Sequence, residues 1–419
     1  MAALTLPGSK PAGNAAQAAG QPQAPTNQAG QQAAGQQSVA QIPFTRSSPQ
    51  KSKQGPPVVG PVILTGAANN FGPYQVPSGG FFRRLKLNVS AVAAGNAATV
   101  VFNADGPFNV LQQIALLSAS GGQIIYAIDG YLLYAWNKYG VCADTPPGTD
   151  PKSDISYSAT AGAGATGGSF NFNIYVPLEL DARDALGVLP NMAGNQLFQL
   201  LGQLNTGAAV YTTPPTTLPT VTVTPVYEFW ALPDAANTDG VPQAQFPPGI
   251  GSALLIQSQN PTINPGSQQK IQLLNVGGIH RMYIFILRLA AGGRDTTNTN
   301  WPAVTTRYVN GNPFNYKTKQ NWLREQQKRY CLNLAGGATY EGAGGLDQGV
   351  MVWSDYVKDG DGSDYASAAC NRNMWLVTER SSVLEFDFNA WGATASTLLI
   401  STMSVTTPSP EALYQPYVG

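Results

Sequence analysis

Apolar and polar residues alternate with a period of two along much of this chain. RLKLNVSAV (84–92) and FNFNIYVPLEL (170–180) put a large apolar side chain at every second position. That pattern predicts strands with one face buried. VLQQIALLSASGGQIIYAI (110–128) reads as two strands joined at Gly121-Gly122, a dipeptide suited to a tight hairpin. TVTVTPVYEFWAL (220–232) reads as another strand, and its internal Pro225 places it at an edge or a bulge. The period changes after Asp129. GYLLYAWNKY (130–139) carries apolar residues at helical spacing and is stopped by Gly140. A second short helix, DARDAL, is expected with Asp181 as its cap, Gly187 closing it and Pro190 beyond.

The same order then returns. Strand MYIFILRL (282–289) precedes a hairpin at Asn310-Gly311 and a helix from Lys319 to Tyr330. Strands follow in VMVWSDYV, MWLVTE, VLEFDFN and TLLISTMSV. The wording itself is repeated. GGFFRRLKLNVSAVAAG opens at Gly79 and GGIHRMYIFILRLAAGG at Gly277, an offset of 198 residues. GGQIIYAIDGYLLYAWNKYG at Gly121 is answered by NGNPFNYKTKQNWLREQQKRYC at Asn310, an offset of 189. Solenoid repeats have periods of about 20–50 residues, so this is duplication of a whole domain. Short strands, long loops and one or two helices per copy imply an all-β protein. We expect two tandem eight-stranded jelly rolls, each a β-sandwich, with a few short helices and extended termini.

Residues 1–57 break the pattern. They are Ala, Gln, Gly and Pro with few large apolar side chains, so they are expected as a flexible or extended arm. The first jelly roll is expected over 58–232, a linker over 233–252, the second roll over 253–408 and an extended tail over 409–419. The first acidic residue in the chain is Asp105. Lys10, Arg46, Lys51 and Lys53 therefore give the arm a one-sided charge. Such an arm either faces an anionic surface or threads between neighbouring subunits.

Composition adds one further point. The 419 residues include only 11% charged side chains, 23 basic and 23 acidic, against about 25% in an ordinary soluble domain. An uncharged surface of this kind favours self-association, which implies burial against other copies. No apolar run reaches the roughly 20 residues of a membrane-spanning helix, and nothing at the N-terminus indicates secretion. Cys142, Cys331 and Cys370 stand at irregular spacing and read as free thiols in a reducing compartment.

Candidate chemistry is sparse. His280 is the single histidine, lies within a strand and matches Phe82 in the first copy, so it reads as a packed residue rather than a base. Gly162 to Gly167 spells GxGxxG, but a strand follows it where a dinucleotide site needs a helix, so a loop is expected. Asp359, Asp361 and Asp364 could offer oxygens to a cation; the spacing fails the EF-hand pattern, which favours a solvated acidic loop. The helix ending at Tyr330 is basic, yet it stands where the first copy has an apolar packing helix. No catalytic, cofactor-binding or metal residue is assigned, and no specific nucleic acid is expected as partner.

PFNVLQQIALLSASGGQIIYAIDGYLLYAWNKYG (107–140) and IYVPLELDARDALGVLPN (174–191) resemble the major capsid proteins of tectivirus-like bacteriophages, which are tailless and have an internal membrane. The resemblance is strongest over about residues 58 to 232. It implies a non-enzymatic double jelly roll that forms pseudo-hexameric homotrimers, the capsomers of an icosahedral virion shell. Expected partners are other copies, penton or vertex and minor virion proteins, and the lipid membrane through the arm. The resemblance also implies synthesis and assembly in the host cytoplasm. The competing reading is a β-sandwich that binds a receptor or glycan at the virion or cell surface, with exposed Trp301, Trp391 and tyrosines lining a sugar site.

Overall fold

The computed structural model describes residues 42–44, 51–54, 59–64, 66–93, 96–118, 124–140, 151–180, 185–192, 198–247, 253–274, 277–330, 348–354, 375–379 and 381–406. In the first half, β1 (Lys51–Gln54), β2 (Val59–Ile63), β3 (Asn69–Gln75), β4 (Gly80–Val92) and β5 (Asn96–Phe102) come in succession. β6 (Leu111–Leu117) and β7 (Ile124–Ile128) lead into helix α1 (Gly130–Tyr139). Then come β8 (Ser158–Ala159), β9 (Gly162–Gly164), β10 (Phe170–Pro177), β11 (Leu189–Asn191) and β12 (Gln199–Leu204). The one-turn helix α2 (Gly207–Val210), β13 (Tyr211–Thr213) and β14 (Thr220–Trp230) close this half. The second half runs β15 (Ala253–Gln259), β16 (Gln269–Gln272), β17 (Gly278–Leu289), β18 (Val304–Val309) and β19 (Asn312–Thr318). It ends with α3 (Lys319–Tyr330), β20 (Val350–Ser354), β21 (Leu376–Thr378), β22 (Leu384–Phe388) and β23 (Ala395–Thr406).

Each half folds as two facing antiparallel sheets with one topology. In the first, β2-β14-β4-β10 faces β3-β12-β6-β7; in the second, β15-β23-β17-β20 faces β16-β22-β18-β19. Apart from the β6-β7 and β18-β19 hairpins, consecutive strands of these sheets alternate between the two layers in the same way in both copies, which is the jelly-roll winding. The inner faces supply two cores. Leu85, Leu87, Val89, Phe172, Ile174, Val221 and Val223 fill the first, with Ile114, Leu116, Leu200 and Leu204 opposite. Tyr283, Phe285, Leu287, Met351, Trp353, Phe386, Phe388, Leu398 and Ile400 fill the second.

The repeated Gly-Gly has a structural reason. Gly80 (φ +120°) and Gly278 (φ +121°) occupy equivalent positions at the start of β4 and β17. A Cβ on Gly80 would strike the Trp230 carbonyl of β14, and one on Gly278 would press on that of Val405 in β23. Only glycine meets both demands.

β4 is buried at every second residue along most of its length, as its sequence predicts, whereas β17 is buried at nearly every residue. Strands covered on both faces read as unbroken apolar runs, which accounts for MYIFILRL.

Several expectations meet the structure directly. β6 pairs with β7, β18 pairs with β19, and Asn310 (φ +50°) with Gly311 (φ +78°) forms the expected hairpin turn. Residues 119–123 of the first hairpin lie outside the described residues. Pro225 is not on an edge strand. β14 lies inside its sheet, but its outer neighbour is split: β1 pairs with Val226–Phe229 and β2 with Thr220, Val221 and Val223. Pro225, which has no N–H to give, faces the gap. Register shifts do occur nearby, between Val221 and Val223 and between Glu228 and Phe229. Asp181 and its neighbours to residue 184 lie outside the described residues. The rest of the expected DARDAL helix is a turn, because Ala185 takes φ +56° and Val188 donates back to its carbonyl.

Part of the N-terminal arm is ordered. Lys51–Gln54 form β1, and Ile42 bridges in parallel to Gln243 in the segment that connects the rolls. Phe44 and Phe246 both pack edge-on against Phe81 (5.7 and 6.1 Å), so arm and connection meet over one aromatic spot on the first roll. Lys10 and Arg46 lie outside the described residues, as does the tail from 407.

Candidate functional site

The most distinctive surface is internal: the junction of the two rolls, built around α1. Asp129 caps the helix by accepting from Leu132 N at 2.8 Å, and all ten residues of α1 are buried. One side of the helix serves its own roll, where Tyr134 stacks on Phe108 at 4.4 Å. The other side meets the outer face of the β15-β23-β17-β20 sheet. Met282, Ile284, Ile286, Val350, Val352, Leu399 and Met403 there join α1 and the first roll in one apolar cluster. Trp136 Nε1 donates to Ser401 Oγ of β23 at 3.1 Å. The Arg281 guanidinium donates to the carbonyl of Gly140, where α1 ends.

α1 and α3 each also clasp a strand edge with an amide. Asn137 Nδ2 donates to the Tyr175 carbonyl (2.7 Å), and Tyr175 N donates to Asn137 Oδ1 (2.8 Å). In the second roll Gln326 Nε2 donates to the Val350 carbonyl (3.2 Å), and Val352 N donates to Gln326 Oε1 (2.9 Å). The side chains make the bonds that a further strand would make, which covers the edge of β20 and the part of β10 beyond its short pairing with β8. Leaving such buried groups unpaired costs about 1–3 kcal/mol. Asn137 and Gln326 are 189 residues apart, the offset of the second repeated motif.

The junction has one polar lock. Asp105 of the first roll accepts from Arg288 Nη1 and Arg294 Nε of the second, both at 2.8 Å. Arg294 also donates to the carbonyls of Ala104 (2.7 Å) and Gln348, and lies over the Tyr131 ring at 4.8 Å. These groups border a cleft of about 610 Å³ that also reaches Asp129 and Gly292. Burial pushes the Asp129 carboxyl above its ordinary range. Two arginines sharing one carboxylate, with carbonyls taking the remaining donors, make a clamp rather than a reactive centre.

No family model matches the sequence, and no curated protein matches it. Solved structures do. The STIV major capsid protein aligns over 88% of this chain and 99% of its own, with 14% identity and a TM-score of 0.57. A chain from the atomic structure of Sulfolobus Turreted Icosahedral Virus aligns over 86% of this chain and 91% of its own, with 14% identity and TM-score 0.57. PBCV-1 VP54, fitted into a reconstruction of the virophage Sputnik, aligns over 86% and 95%, with 11% identity and TM-score 0.55. The fold is the double jelly roll of viral major capsid proteins.

Within this double jelly roll, the residues singled out in the sequence fall mostly in packed positions. His280 is buried, and its Nε2 lies 2.9 Å from Thr378 Oγ1 while its ring stacks on Tyr283 at 5.8 Å. Burial, with Arg307 adding repulsion, holds its pKa down to about 4 from 6.5. Only the unfolded chain takes up this proton between those values, so the contribution is complete above about pH 6.5 and is lost as pH falls toward 4. We expect the difference in stability between wild type and His280→Phe to change by about 2 kcal/mol between pH 7 and pH 4.5. Urea midpoints of both proteins at the two pH values test this, and parallel shifts would refute it.

Trp301 and Trp391 are not exposed. They are buried against each other (5.7 Å), with Trp301 on Trp322 of α3 (5.6 Å), and form part of the second core. Three indoles exclude water better together than apart, and this removes the sugar site expected of them. The GxGxxG stretch is β9 and a turn leading toward β10, so it opens no helix. Asp359, Asp361, Asp364, Cys142, Cys331 and Cys370 lie outside the described residues. Among the described residues no three His, Cys, Asp or Glu side chains gather as a metal site, and no helix is long and apolar enough to cross a membrane.

Proposed function

We propose that this chain is the structural major capsid protein of an icosahedral virion and forms homotrimeric, pseudo-hexameric capsomers. The observation that carries the reading is the α1 junction, which fixes two rolls of identical topology side by side as one body. Three such bodies present six similar wedges, and closed rotational symmetry buries their flanks. The low charge of the chain accords with that burial. Its mechanism is assembly, with no chemistry of its own. Partners are other copies, penton or vertex and minor virion proteins, and an internal lipid membrane met by the arm with Lys10, Arg46, Lys51 and Lys53. Synthesis and assembly take place in the host cytoplasm.

Light scattering on the purified chain should give three times 44.1 kDa, and negative-stain images should show flat hexagonal particles. A stable monomer at micromolar concentration would sink the capsomer reading.

A further inference from the structure

The joint inside the chain pairs α1 of the first roll with the outer sheet face of the second. The reciprocal parts, α3 and the outer face of β2-β14-β4-β10, are left over. The two faces occupy equivalent positions with opposite chemistry. At the 198-residue offset, Arg84, Lys86 and Asn88 of β4 stand where β17 has Met282, Ile284 and Ile286. Thr222, Thr224 and Tyr175 continue this half-buried polar face on β14 and β10, and Asn173 beside them is already held by Asp154 and Ser156. The helices differ in the same sense. At the 189-residue offset, Ala135 and Trp136 of α1 become Arg324 and Glu325 of α3.

Equivalence places Glu325. Trp136 bonds Ser401, and Ser401 pairs with Ile284 across the sheet. The counterparts in the first roll are Val226 and Lys86, which pair with each other in the same way. A second roll set against the next copy's first roll, as the first is set against the second within the chain, therefore puts Glu325 on Lys86. Opposite charges meet where the internal joint has an indole on an apolar row. Next to α3, the edge strand β19 exposes Phe314 (60%) and Tyr316 (68%). Its counterpart β7 lies against β15 in the internal joint, so β19 has apolar surface on the side a neighbour would cover.

We propose that α3 of one copy docks on the outer face of the β2-β14-β4-β10 sheet of the next, with Glu325 against Lys86. The proposal rests on the trimer reading above. It gives a head-to-tail contact of one type, which closes after three chains.

Charge reversal tests it. Lys86→Glu and Glu325→Lys should each raise the concentration at which trimers dissociate by at least about tenfold, and the double exchange should recover most of the loss. Glu325 also pairs with Lys317 inside the chain, so thermal midpoints are followed to separate a folding lesion from a lost contact. Independently, in a background with Cys142, Cys331 and Cys370 replaced by serine, a Lys86→Cys, Glu325→Cys chain should oxidise to two- and three-chain species, whereas either single cysteine variant and the background chain should not. Trimeric wild type with unaffected charge variants, no rescue and no cross-link would overturn the docking and leave the trimer standing. A monomeric wild type would overturn both.

Discussion

Replacing Ile284 with lysine will cost the protein most of its stability, although the equivalent residue of the first roll is already a lysine. Ile284 is fully buried within the cluster that joins α1 to the second sheet. The substitution forfeits about 1.5–3 kcal/mol of apolar burial. It also leaves an unpaired ammonium in a site without a partner, at about 3–5 kcal/mol more. Whole domains are stable by only about 5–15 kcal/mol, so insoluble or partly unfolded protein is the expected product. Lys86→Ile, on the half-buried face of the first roll, should leave the folded chain within about 0.5 kcal/mol of wild type. Soluble yield and denaturant midpoints of both variants decide the matter. A wild-type midpoint for Ile284→Lys would mean that α1 does not seal the face as described.

The second large effect belongs to Asp105. Changing it to asparagine keeps the shape but removes the charge shared by Arg288 and Arg294, whose side chains are 28% and 1% exposed. Breaking a buried pair by deleting one partner costs about 3–5 kcal/mol. The carbonyls that still hold Arg294 and the exposure of Arg288 argue for the lower end, about 3 kcal/mol. Because the lock is mostly buried, the loss should persist in high salt, unlike that of a surface pair. Urea midpoints for Asp105→Asn at low and high salt measure it. A change below about 1 kcal/mol, or one that salt abolishes, would show that the clamp contributes little.

Local pattern carried the architecture. The alternation in RLKLNVSAV and FNFNIYVPLEL, the Asn-Gly turn and the stop at Gly140 all depend on neighbours within a few residues, and each became the element it predicts. The Gly-Gly repeat was legible as duplication, although its cause, a close strand approach at positive φ, involves residues about 150 and 130 positions away. The junction was half legible. An apolar helix and an unbroken apolar strand were both visible, but nothing in either says that they cover each other. Asp105 stood out only as the first acidic residue, because its partners lie 183 and 189 positions away. The amide clasps did leave a signal: Asn137 and Gln326 share the motif offset, and aligning the two helices would have exposed them. Trp301 and Trp391 misled because an indole's exposure is set by the partners it packs on, here Trp322 and each other, which lie far apart in the chain.

The sealed helix has a consequence for synthesis. α1 leaves the ribosome early, while the strand that completes its cover, β23, ends roughly 270 residues later. At about 5–20 residues per second, the nascent chain carries an apolar flank open to water for about 13–50 s. During that time the first roll can fold yet remain adhesive, and copies growing on one message stand close together. Slow translation of the second half would lengthen the hazard, and a chaperone that covers Trp136 and its neighbours would shorten it.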